Sequence, residues 1–488
     1  MEGLTHLPSH EQQGHKLPTP KPRVGRDMTE GSILNHLIAF ATPLLMGNAL
    51  QALYNTVDSM WVGRFLGPEA LGAVSVSFPI IFVLVSMIMG VTNATTIMVA
   101  QNAGAKRMDE VRRIIANSIS LLLVSGLVVS VAGVLLHERI LVLINVPPEI
   151  LPEASRYLSV FLSGLIFMFG YNVFGAILRG LGDSRTPLMF LAYATTMNIL
   201  LDPILIFGLG PIPGMGVAGA ALATVISQAF SSVMAVRHMW KKTGLISRDI
   251  RDYKIDPELS LTTLKVGLPV GVQMTVVSFG QLVISSIINA FGPAVVAGFG
   301  AGARIDQFAT MPSMSLGMSV SSIVGQNLGA GKQHRVHETV KRALVVSISI
   351  GATMTMVAML FAPVILRIFT VSPEVLVQGS TYLRTVSLGY VPMAIMFTVN
   401  GVMRGAGDTF PTMVISVSTL WLIRVPLARY LSALPALGSN GIWWAVVASS
   451  AAGTMLSCAY YLSGRWKKRS VLRKHVAPEV ADQPASGE

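Results

Sequence analysis

The sequence predicts an all-α membrane protein with twelve transmembrane helices, arranged as two related six-helix lobes. Two observations lead to this fold class. The chain of 488 residues is 52% hydrophobic and only 12% charged, with a mean hydropathy of +0.61, whereas soluble domains contain about 25% charged residues. In addition, motifs of the first half return in the second half at a constant distance, which indicates a duplicated unit much longer than a solenoid repeat.

The duplication is visible in short motifs that return at one constant offset along the chain. Arg179-Gly180-x-Gly182-Asp183 returns as Arg404-Gly405-x-Gly407-Asp408. The same offset relates four further pairs of positions, which are Gly67 and Gly292, Gln101 and Gln326, Tyr157 and Tyr382, and Gly216 and Gly441. In an apolar chain, a duplication of this length is typical of transporters built from two related helical bundles.

Apolar runs of about 20 residues mark the predicted spans. They lie at 35–62, 70–92, 114–136, 154–177, 187–208, 215–238, 262–289, 294–316, 342–364, 378–402, 411–431 and 441–463. Six spans per copy is an even number, so both copies enter the membrane from the same side and the repeats are parallel. The predicted domains are an N-terminal tail 1–32, a first lobe 33–240, a linker 241–261, a second lobe 262–463 and a C-terminal tail 464–488.

Basic residues predict the orientation. Of the 36 Lys and Arg residues, 28 fall on the side of the tails and the linker, and six fall on the other side. The positive-inside rule then places both termini and the linker in the cytoplasm, in a multi-pass protein of the plasma (inner) membrane. The net charge of +12 follows from this topology, so we expect the lipid bilayer and not a nucleic acid as partner. An amphipathic surface helix is an alternative for the linker.

Four polar residues of the first lobe are candidates for ion coupling, because a charge inside a bilayer costs about 2.5–3.5 kcal/mol on insertion scales. Asp58 in the first span and Asp202 in the fifth lie about 9 Å below the same boundary. Asn198 shares a helix face with Asp202, and Thr224 in the sixth span lies about 12 Å below that boundary. This set predicts a proton- or cation-binding cluster. The alternative is that Asp58 caps a kinked helix or pairs with an arginine.

The other charged residues in or near the spans are expected to be structural. Arg304 and Arg424 have no acidic equivalents in the first repeat, and we expect each to pair within the second lobe, with Asp306 or with freed carbonyl groups.

The two Arg-Gly-x-Gly-Asp motifs fall between the fourth and fifth spans of each lobe. Glycine there provides backbone conformations closed to other residues, and an aspartate can cap the next helix. The motifs therefore predict tight turns held by charged groups rather than substrate contacts. These groups are Arg179 and Asp183 in the first lobe, and Arg404 and Asp408 in the second.

A nucleotide site is not expected. Gly325-Gln-Asn-Leu-Gly-Ala-Gly-Lys332 resembles a phosphate-binding loop, but Gln326 stands where glycine is needed and Gln333 where Ser or Thr is needed. The sequence shows no catalytic constellation either, so we expect no enzyme, no cofactor and no use of ATP.

The segment Tyr54-Asn55-Thr56-Val57-Asp58-Ser59-Met60-Trp61-Val62-Gly63 resembles the signature of the multidrug and toxic compound extrusion (MATE) family. So do both Arg-Gly-x-Gly-Asp motifs and Val324-Gly-Gln-Asn-Leu-Gly-Ala-Gly331. The resemblance runs from about Ile33 to Ser463. It implies a V-shaped pair of six-helix lobes that opens alternately to each side and exports cationic or amphipathic drugs in exchange for H⁺ or Na⁺.

Within the family, the sequence resembles the DinF-like branch, whose coupling chemistry lies in the N-terminal lobe. Asp58, Asn198 and Asp202 match that pattern, and Asn172 and Thr224 match it less closely. A second branch keeps a cation site in the C-terminal lobe with acids in the seventh and tenth spans. Here those spans contain no Asp or Glu, and Asp306 in the eighth span is the one candidate left there.

The remaining expectations concern substrate and ion. Tyr54, Asn55, Met168 and Asn172 are the candidate cavity residues, since methionine adapts to irregular ligands. Protons are preferred over sodium because two carboxylates and an amide form no rich oxygen cage, although sodium stays open. A flippase for lipid-linked saccharides is the alternative function. Such proteins usually have more cationic cavities and commonly two further spans. We expect a monomer.

Overall fold

The computed structural model describes residues 25–247 and 249–469, without the side chain of Ile250. The predicted tails therefore lie largely outside the described residues. The α-helices are, in chain order, α1 Ile33–Phe65, α2 Pro68–Gly104, α3 Met108–Leu143, α4 Leu151–Ser163, α5 Leu165–Gly180, α6 Arg185–Phe207, α7 Val217–Lys242, α8 Pro257–Asn289, α9 Pro293–Gly329, α10 Gln333–Leu366, α11 Pro373–Ser387, α12 Tyr390–Gly405, α13 Thr409–Ser418, α14 Val425–Ser432 and α15 Asn440–Leu462. The shorter elements are the antiparallel strands β1 Gly208–Leu209 and β2 Ile212–Pro213, the 3₁₀ turns Ile250–Asp252 and Arg465–Lys468, and the π-helical turn Thr419–Arg424.

The helix boundaries confirm the duplication. Helices α2 and α9 both have 37 residues, and α5 and α12 both have 16. Both ends of each helix are shifted by the same offset as the sequence motifs. The start of α2 and α9 has a local cause. Gly67 and Gly292 adopt φ values of 88° and 90°, a region that favours glycine, and the proline that follows is suited to the first helical position.

The all-α membrane fold is confirmed, with one helix that differs from the rest. Within the described ranges, nine helices are long and apolar enough to cross a membrane, and the bent pairs α4–α5 and α11–α12, each with a 47° bend, bring the number to 11. The predicted eighth span, 294–316, lies in α9. This helix contains Arg304, Asp306 and many serines and glycines, which make it less apolar than the others.

Helices α1 and α8 begin in the lobe to which they do not belong by sequence. Leu37 and Phe40 of α1 lie in the hydrophobic core of the C-terminal lobe. Leu259 and Val266 of α8 lie in the core of the N-terminal lobe. The first halves of these two helices therefore exchange places across the seam between the lobes.

The second halves of α1 and α8 return to their own lobes. On α1, the Tyr54 hydroxyl donates to the Thr224 hydroxyl of α7 at 2.9 Å. At α8, the Trp421 indole of the π-helical turn donates to the Val276 carbonyl oxygen at 3.1 Å. The two helices thus diverge from the seam, which accounts for the V shape of the pair of lobes.

The lobes meet at the end of the bundle where α7 is joined to α8, here called the linker end. A Cβ atom at Gly104 would lie 1.9 Å from the Gln326 carbonyl oxygen, and one at Gly329 would lie 1.8 Å from that of Gln101. Only glycine permits such an approach of two backbones. The side-chain amide of each glutamine also donates to a carbonyl oxygen of the other lobe's Arg-Gly-x-Gly-Asp turn, at 2.8 Å and 3.1 Å.

The residues before α1 lie across the same seam. The Met28 amide donates to the Gln326 side chain at 2.9 Å, and Met28 is fully buried. The Lys332 ammonium donates to the Thr29 carbonyl oxygen at 3.0 Å. At mid-height, the Asn48 amide of α1 donates to the Ser315 hydroxyl of α9 at 3.1 Å. Because α1 and α8 diverge beyond this contact, we infer a cleft between the lobes on the side away from the linker end, with this contact as its floor.

The described residues of the linker form one 3₁₀ turn, Ile250–Asp252, and not an amphipathic helix. Asp256 ends the linker by capping α8. The N–H groups of Leu259 and Glu258 and the Arg113 guanidinium lower the pKa of the Asp256 carboxyl. The Arg113–Asp256 ion pair, at 3.0 Å, links α3 of the first lobe to the start of the second.

Candidate functional site

Three neighbouring helices of the N-terminal lobe bring the predicted coupling residues together. Helix α1 packs against α6, and α6 packs against α7. On α6, Asn198 and Asp202 are both fully buried, and the Asn198 amide donates to Asp202 Oδ1 at 3.1 Å. On α7, Thr224 is buried and accepts the hydrogen bond from Tyr54 of α1. The hydroxyl and amide groups thus connect all three helices around the acids.

The two acids lie close enough to interact electrostatically. Buried oxygen atoms of Asp58 (Oδ1), Asp202 (Oδ2) and Asn198 (Oδ1) have no hydrogen-bond partner among the described residues. Buried oxygen atoms without donors are unfavourable, and two neighbouring carboxylates repel each other. The arrangement is therefore suited to hold a proton or a small cation.

The structural alternative for Asp58 finds no support. Neither Asp58 nor Asp202 takes part in an ion pair within the described chain. Asp58 also lies inside α1, Ile33–Phe65, about two turns before its end, so it caps no helix.

The predicted cavity residues differ in their exposure. Asn55 is exposed on α1 and accepts a hydrogen bond from the Gln51 amide at 3.1 Å, whereas Tyr54 is half-buried. Met168 of α5 is buried, and its carbonyl oxygen accepts from the half-buried Asn172 at 2.8 Å. Asn55 is thus accessible, Tyr54 is partly accessible, and Met168 packs within the lobe.

Sequence reasoning missed three residues at this site. Tyr157 of α4 is buried and interacts electrostatically with both acids. Thr195 lies one turn before Asn198, and Ser227 lies one turn after Thr224, and both have buried hydroxyl groups without partners among the described residues. Tyr157 could have been found because it is one of the duplicated positions, and the hydroxyls because they continue the helix face.

The two Arg-Gly-x-Gly-Asp turns differ in the role of their aspartate. Asp183 caps α6 as expected, since it accepts from the amides of Arg185 and Thr186 at 3.0 Å each. Asp408 makes no such bond to α13. It accepts instead from the Tyr460 hydroxyl of α15 at 2.6 Å, so the expected capping role of Asp408 is corrected.

The arginines of these turns point into the lobes. Arg404 donates to the Gln273 side chain at 3.0 Å. Arg179 lies within electrostatic reach of Tyr171. Both positions agree with a structural role.

The two arginines of the C-terminal lobe differ in their contacts. Arg424 donates to the Ser449 hydroxyl at 2.8 Å and interacts electrostatically with Asp306. Arg304 is exposed. It lies two positions before Asp306, which is about 200° around the helix, so the two side chains leave α9 on opposite faces. The expected pairing of Arg304 with Asp306 is therefore corrected.

Comparison with known proteins shows to which family the chain belongs. The model of the MatE family matches residues 43–204 and 269–429, one stretch in each lobe and together more than half of the chain. The chain belongs to the MatE family. Members of this family are transporters and not enzymes, so the protein is a multi-pass membrane transporter.

Several relatives of the MatE family cover almost the whole chain. The probable multidrug resistance protein YpnP of Bacillus subtilis is 34% identical over 441 residues, which cover 90% of this chain and 97% of YpnP. The probable multidrug resistance protein NorM of Thermotoga maritima is 29% identical, covering 92% and 96%. A solved structure described as the outward-facing conformation of a multidrug resistance MATE family transporter superposes with a TM-score of 0.84 at 24% identity, covering 91% of this chain and 99% of that one.

Proposed function

We propose that the protein is a multidrug exporter of the inner membrane that exchanges cationic or amphipathic compounds for protons by alternating access. The observation that carries the proposal is the pair Asp58 and Asp202, which interact in the N-terminal lobe and have unpartnered oxygen atoms among the described residues. The names of relatives such as YpnP agree with multidrug export.

Proton exchange at this pair can act on the whole helix α1. Protonation of Asp58 removes the repulsion from Asp202, and Tyr54 ties the same part of α1 to Thr224 of α7. The first half of α1 packs in the other lobe. A change in the position of α1 at Asp58 is therefore transmitted to the seam that closes the linker end, which couples the protonation state to the side on which the cleft opens.

Efflux from proteoliposomes tests the coupling ion. Purified protein is reconstituted with a fluorescent cationic dye, and H⁺ and Na⁺ gradients are applied separately. We expect dye movement driven by the pH gradient alone. Efflux that survives collapse of the pH gradient but stops without sodium would overturn the proton, and it would assign the Asn198 and Thr224 oxygens to a sodium ion instead.

The proposed orientation places both termini and the linker in the cytoplasm. Single cysteines introduced in a Cys458→Ser background can be labelled with a membrane-impermeant reagent. We expect labels near Gly210 and Ser439 from outside the cell, and labels in the linker only after permeabilisation. The reverse pattern contradicts the orientation.

A further inference from the structure

Arg304 is an isolated positive charge in the second half of the molecule. It is exposed on α9, which begins at Pro293, and it lies about three turns, or about 16 Å, from that start. Arg304 takes part in none of the ion pairs or hydrogen bonds that the described residues form. A charged side chain at this depth is unfavourable unless it faces a partner or a water-filled cavity.

The helical period shows which way Arg304 faces. At about 100° per residue, Arg304, Met311 and Ser315 leave α9 within about 20° on either side of one direction. Ser315 on this face meets Asn48 of α1 at the floor of the cleft. Above the floor, α1 leaves the seam and packs in its own lobe. Arg304 therefore faces the cleft between the lobes and not the lipid.

The opposite wall of the cleft is polar at the same height. Arg304 is separated from Ser315, and Asp58 from Asn48, by about three helical turns, in both cases towards the end opposite the linker. Both charges therefore lie about 15–16 Å above the floor contact. On the same part of α1, the exposed Asn55 amide adds a polar group. Asp58 itself lies against Asp202 inside the N-terminal lobe, where its Oδ1 atom is buried, so the cleft has a polar wall beside the acidic pair and a basic wall.

We propose that Arg304 binds the carboxylate of zwitterionic amphipathic substrates, whose cationic group lies towards the polar wall formed by α1. A guanidinium group is suited to this task because it can donate two parallel hydrogen bonds to one carboxylate. The duplicated position in the first lobe is Pro79, so the charge is specific to the second lobe. The inference rests on the proposed function in one respect, namely that the cleft is the substrate pathway.

Two dyes that share one chromophore test the proposal. Rhodamine 110 has a free carboxylate and is zwitterionic, and its methyl ester, rhodamine 123, is a cation. Binding of each dye to the purified protein is measured by fluorescence polarisation, which requires no ion gradient. We expect Arg304→Gln to weaken rhodamine 110 binding about tenfold, as for loss of a hydrogen bond between charged groups, and to change rhodamine 123 binding less than about twofold.

Two further variants make the result specific. Arg304→Lys keeps the charge without the paired donors and should give an intermediate loss for rhodamine 110. Arg139→Gln removes an exposed arginine of α3 and should change neither dye. Equal weakening of both dyes by Arg304→Gln, or a loss for rhodamine 110 no larger than that caused by Arg139→Gln, overturns the proposal. Failure of proton-driven export of rhodamine 123 would instead reject the proposed function, and it leaves the binding comparison intact.

Discussion

The two lobes keep the same polar scaffold at the site but differ in the charged residues around it. Tyr157 of the first lobe and Tyr382 of the second are equivalent positions, and so are Thr224 and Ser449. Around this shared scaffold the remaining positions have changed. The equivalent pairs, first lobe before second, are Tyr54 and Phe279, Asp58 and Val283, Ile199 and Arg424, and Asp202 and Leu427.

The difference indicates which lobe responds to ions. In the first lobe, two acids meet and leave oxygen atoms without donors among the described residues, so a bound proton or cation changes the energy of the site strongly. In the second lobe, Asp306 Oδ1 also has no hydrogen-bond partner among the described residues, but Arg424, which donates to Ser449, lies near enough to Asp306 to balance its charge. We infer that the first lobe responds to the coupling ion and that the second lobe does not.

The largest expected effect comes from the acids of the first lobe. Asp58→Asn should abolish dye export, and Asp202→Asn should reduce it severely, because the amide keeps the shape and hydrogen bonds of a protonated acid but cannot release a proton. Each variant should fold nearly normally, since the amide removes the repulsion between two buried acids. Efflux and melting temperature are measured on the same purified protein.

The outcome for Asp58→Asn discriminates the two roles. A lower melting temperature with residual export in the folded fraction would make Asp58 a structural residue. Normal export by Asp58→Asn would remove proton coupling at this pair altogether.

The second lobe should respond in the opposite way. Asp306→Asn leaves the Arg424 guanidinium with a smaller compensation of its charge, so we expect destabilisation by about 2 kcal/mol, less than the roughly 3–5 kcal/mol for a buried ion pair in direct contact. Export per folded molecule should fall less than about threefold. The control is the double variant with Arg424→Gln, which should recover part of the melting temperature. Lost export at an unchanged melting temperature would give the second lobe a coupling role too.

The comparison also shows where sequence reasoning reaches its limit. Hydropathy, the constant offset and the position of Asp58 and Asp202 within apolar runs are sufficient for the fold and for the acids, because a buried charge is rare enough to be conspicuous. The direction of a side chain around its helix depends on helix packing, which composition does not specify. For this reason the sequence alone predicts Asp306 or freed carbonyl groups as partners of Arg304, although Arg304 and Asp306 leave α9 on opposite faces. For the same reason Tyr157 is taken for an ordinary aromatic residue of a span.

A smaller effect on export is expected when a residue of the first lobe is replaced by the residue at the equivalent position of the second lobe. Tyr54→Phe introduces the side chain that Phe279 has at the equivalent position and removes the hydrogen bond to Thr224. A neutral hydrogen bond contributes about 1 kcal/mol, so proton-driven export should fall about fivefold without being lost. Thr224→Val tests the same bond from the other side, and the two changes together should not be additive. Additive losses would show that Tyr54 and Thr224 act separately.

The smallest effects are expected at the two Arg-Gly-x-Gly-Asp turns, where the lobes differ without any difference in charge. Asp183→Ala removes a helix cap and should lower the free energy of unfolding by about 1 kcal/mol. Asp408→Ala removes a carboxylate that accepts from Tyr460 and should lower it by about 2 kcal/mol, since bonds to charged groups are stronger. In a Tyr460→Phe background, the effect of Asp408→Ala should shrink while that of Asp183→Ala stays the same, because only Asp408 shares a bond with Tyr460. Detergent-unfolding curves of the five variants measure these values. Equal effects of Asp408→Ala in both backgrounds would show that Asp408 stabilises its turn by some other contact, and the two duplicated turns would then be equivalent after all.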